Sequence, residues 1–116
     1  MDYLSYLGKE VSIVIDRPLG SVHPDHRDII YNVNYGFIPG TKAEDEEEVD
    51  VYLLGVSVPV RDFNSRIIAV IHRLDDDEDK LVAAPAGTTF SAEEIKELTR
   101  FQEQYFNIEI IMENTK

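Results

Sequence analysis

The sequence predicts a mainly β protein of the α+β kind: a small, partly open antiparallel barrel with one helix on its C-terminal side. Three observations predict it. Short runs rich in β-branched residues recur along the chain, with Gly/Pro turns between them. Helical spacing occurs only once, late in the sequence. The length, 116 residues, suits one domain spanning 1–116, long enough to bury a moderate core.

The elements follow in order. Residues 10–15, Glu-Val-Ser-Ile-Val-Ile, read as a strand, because branched side chains pack well on a pleated surface. Residues 16–28 hold Pro18, Gly20, Pro24 and two histidines, and read as a loop. Residues 29–33 read as a short strand, and Pro39-Gly40 as a turn. Residues 49–58 form a strong strand, 59–64 a turn, 66–74 another strand, and 80–84 a short apolar one. Ser91-Ala-Glu-Glu94 is a capping box, in which Ser91 accepts from a backbone N–H and Glu94 reaches back. Ile95, Leu98, Thr99, Phe101, Gln102 and Tyr105 then keep helical spacing, which predicts a helix over 92–105. Residues 107–112 read as a last strand. Its apolar end, Ile108 to Met112, has the character of an edge open to pairing with a second copy of the chain, so a homo-oligomer is possible.

Composition excludes several classes. There is no cysteine, hence no disulfide framework, thiolate metal site or cysteine nucleophile, and the chain fits a cytoplasmic protein. No apolar run is long enough to span a bilayer, and the N-terminus lacks the basic and apolar regions of a secretory signal. The net charge of −12 argues against nucleic acid, whose phosphates need a basic footprint. Acidic surface alone also serves solubility, the plainest reading of such a charge.

The densest chemistry lies in residues 31–52, which gather tyrosines, a Gly/Pro turn and a block of carboxylates ahead of an apolar strand. Residues 44–50 hold six acids in seven positions, and such like charges repel unless something pairs with them. Oxygen ligands at this density suit a hard cation such as Mg²⁺, with Mn²⁺ as the alternative. With Val49 and Val51 turned into a barrel, Asp50 turns to the opposite face. A second acidic run, 75–79, leads into Lys80; the plain alternative is an exposed acidic hairpin with a flanking lysine. Divalent ions beside tyrosines and basic residues are a way to hold and split a phosphate anhydride. His72 sits within a strand next to Ile71 and reads as structural. His23 and His26, beside Asp25 and Asp28, read either as transition-metal ligands or as solvated loop residues. Tyr3, Tyr6 and Tyr52 read as core or surface aromatics.

Tyr31, Asn34, Tyr35, Gly36, Phe37 and Ile38, followed by Asp45-Glu46-Glu47-Glu48-Val49-Asp50 at the head of a strand, resemble the signature of the soluble (family I), Mg²⁺-dependent inorganic pyrophosphatases. That signature is Tyr, then Asn-Tyr-Gly-Tyr/Phe-Ile, then Asp-Gly-Asp-Pro-x-Asp. Lys80-Leu-Val-Ala and Pro85 match a later block, Lys-Leu-Val-Ala-Val-Pro. Pro18, Gly20 and Ser21 match an earlier one, with Asp16 in place of a glutamate. The resemblance covers about residues 11–106 and marks a short, divergent member. It implies an OB-like barrel with helical structure outside it, and hydrolysis of pyrophosphate or a related small phosphate. It also implies roles. Asp50 and Asp45 would bind metal, joined by Asp16, Asp75 and Glu78, with Asp79 the alternative to Glu78. Glu47 would be the general base toward water. Lys80 and Tyr35 would act at the phosphate, with Tyr31 and Tyr105 as substrate contacts.

The chain also departs from that pattern. A hairpin that carries a phosphate-binding Lys and Arg in the family shrinks here to residues 22–31, where Arg27, His23 and His26 stand as substitutes, Arg27 foremost. Tyr105-Phe106 replaces a Tyr-Lys pair, and Glu47 is one methylene longer than the usual aspartate. Two alternatives therefore stand beside the hydrolase: a non-catalytic metal- or phosphate-binding relative, and a hydrolase of another phosphate anhydride.

Overall fold

The computed structural model describes residues 2–43 and 46–113. Its strands are β1 (Glu10–Arg17), β2 (Asn34–Ile38), β3 (Val49–Leu53), β4 (Asp62–Arg73), β5 (Lys80–Ala84) and β6 (Ile108–Met112), with an α-helix, α1 (Ala92–Glu103), between the last two and a short 3-10 helix (Tyr3–Tyr6) ahead of β1. The sheet runs β1-β2-β3-β5-β4-β6, and β1 pairs back onto β4. That pairing closes five strands into the expected OB-like barrel and leaves β6 as an added edge. Two features correct the sequence expectation. The barrel is closed rather than partly open, and β3 pairs with β5 in parallel while the other pairs are antiparallel.

Strand alternation sorts the side chains into two cores. Ile13, Ile15, Val49, Val51, Leu53, Ile67, Leu81 and Ala83 fill the barrel. Tyr31, Tyr35, Tyr52, Leu54, Ile71, Val82 and Ala84 point outward and are covered by α1 through Ile95, with Leu98 and Phe101 packed beside it. Full burial of one such apolar side chain contributes about 1.5–3 kcal/mol. The capping box starts α1 as expected: Glu94 N–H donates to Ser91 Oγ at 3.1 Å, and Ser91 N–H donates to Glu94 Oε1 at 2.8 Å.

Two β-bulges interrupt the alternation. On β1, Ile15 lies opposite Gly36 but Arg17 lies opposite Tyr35, so Asp16 and Arg17 together face one residue of β2. On β4, Ile67 lies opposite Ala83 and Ala69 opposite Val82, so Ile68 is the extra residue. Each bulge advances its strand by one position and reverses which residues face outward beyond it. At Gly36 the β1 backbone approaches so closely that a Cβ would lie 1.9 Å from the Val14 carbonyl oxygen, so only glycine fits there.

The expected strand over 29–33 is reduced to a single bridge, Val22 with Ile30. The segment is too short for more: Tyr31 N–H donates to Ser21 O at 2.8 Å and His23 N–H to Ile29 O at 2.9 Å, and the turn between them uses the rest. Residues 34–38, not expected as a strand, form β2. The strand expected over 49–58 stops at Leu53, ahead of Gly55 at φ 83°. The helix ends at Glu103, two residues early.

Candidate active site

A cleft of about 620 Å³ opens on the outer face of the barrel beside the C-terminal end of α1. The phase of each strand sets its lining. Asp50 alternates with the barrel residues Val49 and Val51, and Lys80 with Leu81, as expected for Asp50. Arg17 and Arg73 also line the cleft, and both lie beyond a bulge that turned them outward. Without those bulges, Arg17 would share the face of Ile13 and Ile15, and Arg73 that of Ile67. Tyr35, His23, His26, Asp28, Ile29, Gln102 and Phe106 also line the cleft, and Tyr105, another lining residue, has 59% of its surface exposed.

Lys80 is the centre of one cluster. Its Nζ donates to Asp50 Oδ2 at 2.6 Å and also to Glu78, so two carboxylates from different elements converge on one cation. Tyr35 hydrogen-bonds Asp50; burial first, then that carboxylate, pushes its phenol well above the usual tyrosine range and keeps it protonated. Partial burial raises Asp16 above the usual carboxylate value; the Arg17 charge opposes this, while Asp50 and Glu48 add to the rise.

A hydrogen-bonded chain backs the other wall. Arg17 Nη1 donates to Tyr31 Oη at 2.6 Å, and Tyr31 donates to Gln102 Oε1 at 2.6 Å. Gln102 Nε2 donates to Tyr52 Oη at 2.7 Å, and Tyr52 donates to Glu103 Oε2 at 2.6 Å. Glu103 receives Arg73 through Nε at 2.9 Å and Nη2 at 2.7 Å. Burial opposes the Arg73 charge, but the hydrogen bonds and charge of Glu103 outweigh it and raise the guanidinium above its usual value. Burial raises Tyr31 above the usual range, against the lowering effect of Arg17, so each hydroxyl in the chain stays protonated and both donates and accepts.

The expected site residues divide between the cleft and its surroundings. Asp50, Lys80, Tyr35 and Tyr105 line the cleft, and Glu78 meets it through Lys80. Tyr31 lies behind the wall and holds Arg17. Asp16 neighbours the cluster by charge without lining the cleft. Three lie elsewhere. Glu47 is exposed in the β2–β3 loop, Arg27 is exposed on the shortened loop whose His23, His26 and Asp28 line the cleft instead, and Asp75 accepts the Asn107 N–H at 3.2 Å at the start of β6. Asp45 falls outside the described residues. Of the two alternatives in the second acidic run, Asp79 is turned to His72 Nδ1 at 3.0 Å and the Arg73 N–H at 3.2 Å, while Glu78 reaches Lys80. The Asp79 contact fits the structural reading of His72. Asn34 ties loops together: its Oδ1 accepts the Leu19 N–H at 2.9 Å and its Nδ2 donates to Val58 O at 3.0 Å. Arg17, Arg73 and Gln102 went unseen in the sequence, although Gln102 stood in the helical stripe.

Among the described residues no three metal-ligating side chains converge. The donors present still fit Mg²⁺, which keeps its waters and takes one or two carboxylates plus substrate phosphates. Asp50 and Glu78 already meet on a cation in Lys80 Nζ.

An OB-like barrel with a cleft that pairs carboxylates with buried cations defines the class. The chain belongs to the inorganic pyrophosphatase family, whose model matches residues 9–113. It is 29% identical over 115 residues to a soluble inorganic pyrophosphatase of Zea mays, a match that covers 84% of this chain and 54% of the relative. The chain spans about half the length of the curated relatives it matches. The inorganic pyrophosphatase of Neisseria gonorrhoeae superposes with TM-score 0.63 at 28% identity, covering 84% of this chain and 74% of that one. That of Ehrlichia chaffeensis has the same fold, with TM-score 0.71 at 21% identity over 92% of this chain and 88% of that one. No helix among the described residues is long and apolar enough to cross a membrane.

Proposed function

We propose that the chain hydrolyses inorganic pyrophosphate to two phosphates in a Mg²⁺-dependent reaction in the cytoplasm. The observation that carries this reading is the convergence of Asp50 and Glu78 on one cation position, beside protonated Tyr35, in a member of this family. Asp50 and Glu78, with Asp16 nearby, would hold the ion. When bound, a divalent ion supplies charge to the phosphates and acidifies water.

The chain's own residues do the rest. Lys80, held by Asp50 and Glu78, keeps the two carboxylates together at the cleft wall. Tyr35 keeps its proton and fixes Asp50 in orientation. A water oxygen attacks one phosphorus while the bridging oxygen leaves with the other phosphate, and the water proton passes to a carboxylate. The reading gives that role to Glu47. The exposed position of Glu47, outside the cleft lining, favours the second reading, a metal- or phosphate-binding relative without turnover.

Phosphate release from pyrophosphate with Mg²⁺, and separately with Mn²⁺, separates the two. Turnover that falls by more than about 100-fold in Asp50→Asn is expected, beyond the loss typical of an outer-shell partner. If Mg²⁺ raises the melting temperature while no phosphate appears, the second reading holds.

A further inference from the structure

The three cations that line the cleft are not equivalent. Lys80 is neutralised by Asp50 and Glu78, and Arg73 by Glu103 and Asp76. Arg17 forms no ion pair with a carboxylate among the described residues. Its one hydrogen-bond partner is a neutral phenol, Tyr31, and its guanidinium lies 5.7 Å and 5.6 Å from the ring centres of Tyr31 and Tyr35. A guanidinium carries five N–H donors, and Tyr31 takes one.

The position of Arg17 is also built. The β1 bulge turns it out of the barrel to lie opposite Tyr35, and Gly36 lets β1 and β2 approach closely enough for that register. Tyr31 is itself fixed by buried Gln102 on α1, so the guanidinium is oriented from the helix before any ligand arrives. A planar fork without a carboxylate ion pair, in a wall whose other two cations each meet two carboxylates, is suited to two oxygens of one phosphoryl group.

We infer that Arg17, aimed by the β1 bulge and held by Tyr31, is the phosphate-binding cation of the cleft. This rests on the pyrophosphatase reading for the identity of the substrate, but not for the anion class. Tyr31 is then a positioning residue, and neither exposed Arg27 nor neutralised Arg73 carries the binding.

The test is calorimetric titration of methylenediphosphonate, a pyrophosphate analogue whose bridge cannot be hydrolysed, into wild type, Arg17→Gln and Arg17→Lys in Mg²⁺ buffer. Pyrophosphate turnover is measured on the same preparations. Arg17→Gln should weaken analogue binding by about 10- to 100-fold, the worth of one hydrogen bond to a charged group, and raise KM more than it lowers kcat. Arg17→Lys keeps the charge without the fork; it should bind with intermediate affinity at an unchanged melting temperature. If wild type binds the analogue through Arg17 without hydrolysing pyrophosphate, the receptor stands and the hydrolase reading fails. If wild type turns over pyrophosphate and Arg17→Gln matches it in KM and analogue affinity, the receptor fails and the hydrolase stands. Absence of analogue binding by wild type also overturns the receptor. Should Arg17→Gln fail to fold, Arg17→Lys decides, and wild-type affinity in that variant overturns the inference.

Discussion

Asp16 is where like charge accumulates beside the cleft. Burial raises its pKa first, and Asp50 and Glu48 add to the rise. A carboxyl whose folded value lies above the unfolded 3.8 costs stability once pH exceeds both values, and the cost vanishes below 3.8. Asp16→Asn should therefore raise the melting temperature of the metal-free protein at pH 7, and the gain should shrink as pH falls towards 3.8. A thermal melt series in chelator checks this; a gain independent of pH would contradict it. Much at this scale was legible. The outward face of Asp50 could be read from alternation beside Val49 and Val51, while Lys80 and Tyr35 were named through the resemblance to the family's motifs. The contact between Glu78 and Lys80 could not be read, because a tight loop of five acids has no periodicity to orient its side chains.

At the scale of elements, the bulges explain what the sequence concealed. Counting from Ile13 and Ile15 puts Arg17 inside the barrel, and counting from Ile67 does the same to Arg73. Only an extra residue in each strand reverses that, and neither β1 nor β4 carries a glycine or proline to announce it. The helix was legible because Ser91 and Glu94 mark its start and apolar spacing its face. Glu103 was not: an acid near the end of a helix normally faces water, whereas this one is buried on Arg73 and Tyr52. Removal of one partner from a buried ion pair leaves the other charge uncompensated. Glu103→Ala should therefore cost about 3–5 kcal/mol in urea denaturation. A loss below 1 kcal/mol, the level of a surface pair, would mean that α1 is not anchored this way.

At the scale of the molecule, β4 joins the structure. Its first residues pair with β1, its middle with β5 and its last with β6, so the barrel and its added edge cannot part without breaking β4. Backbone amides of Ile67 to Ile71 should exchange only through global unfolding, while those of the loop from Val22 to Ile30, closed by one bridge, should exchange far sooner. Hydrogen exchange read by NMR tests this, and equal protection in the two segments would contradict it. The closed barrel gives the cleft a rigid floor. The net charge of −12 makes a local cation decisive, because an anion that approaches Arg17 would do so against the field of the whole chain.

The central claim is that this cleft splits pyrophosphate, and the most direct measurement is ³¹P NMR of pyrophosphate incubated with the purified protein and Mg²⁺. The account predicts that the pyrophosphate signal converts to orthophosphate, that chelator stops the conversion, and that Asp50→Asn does not support it. A pyrophosphate signal that persists unchanged, with protein folded and Mg²⁺ in excess, would contradict it.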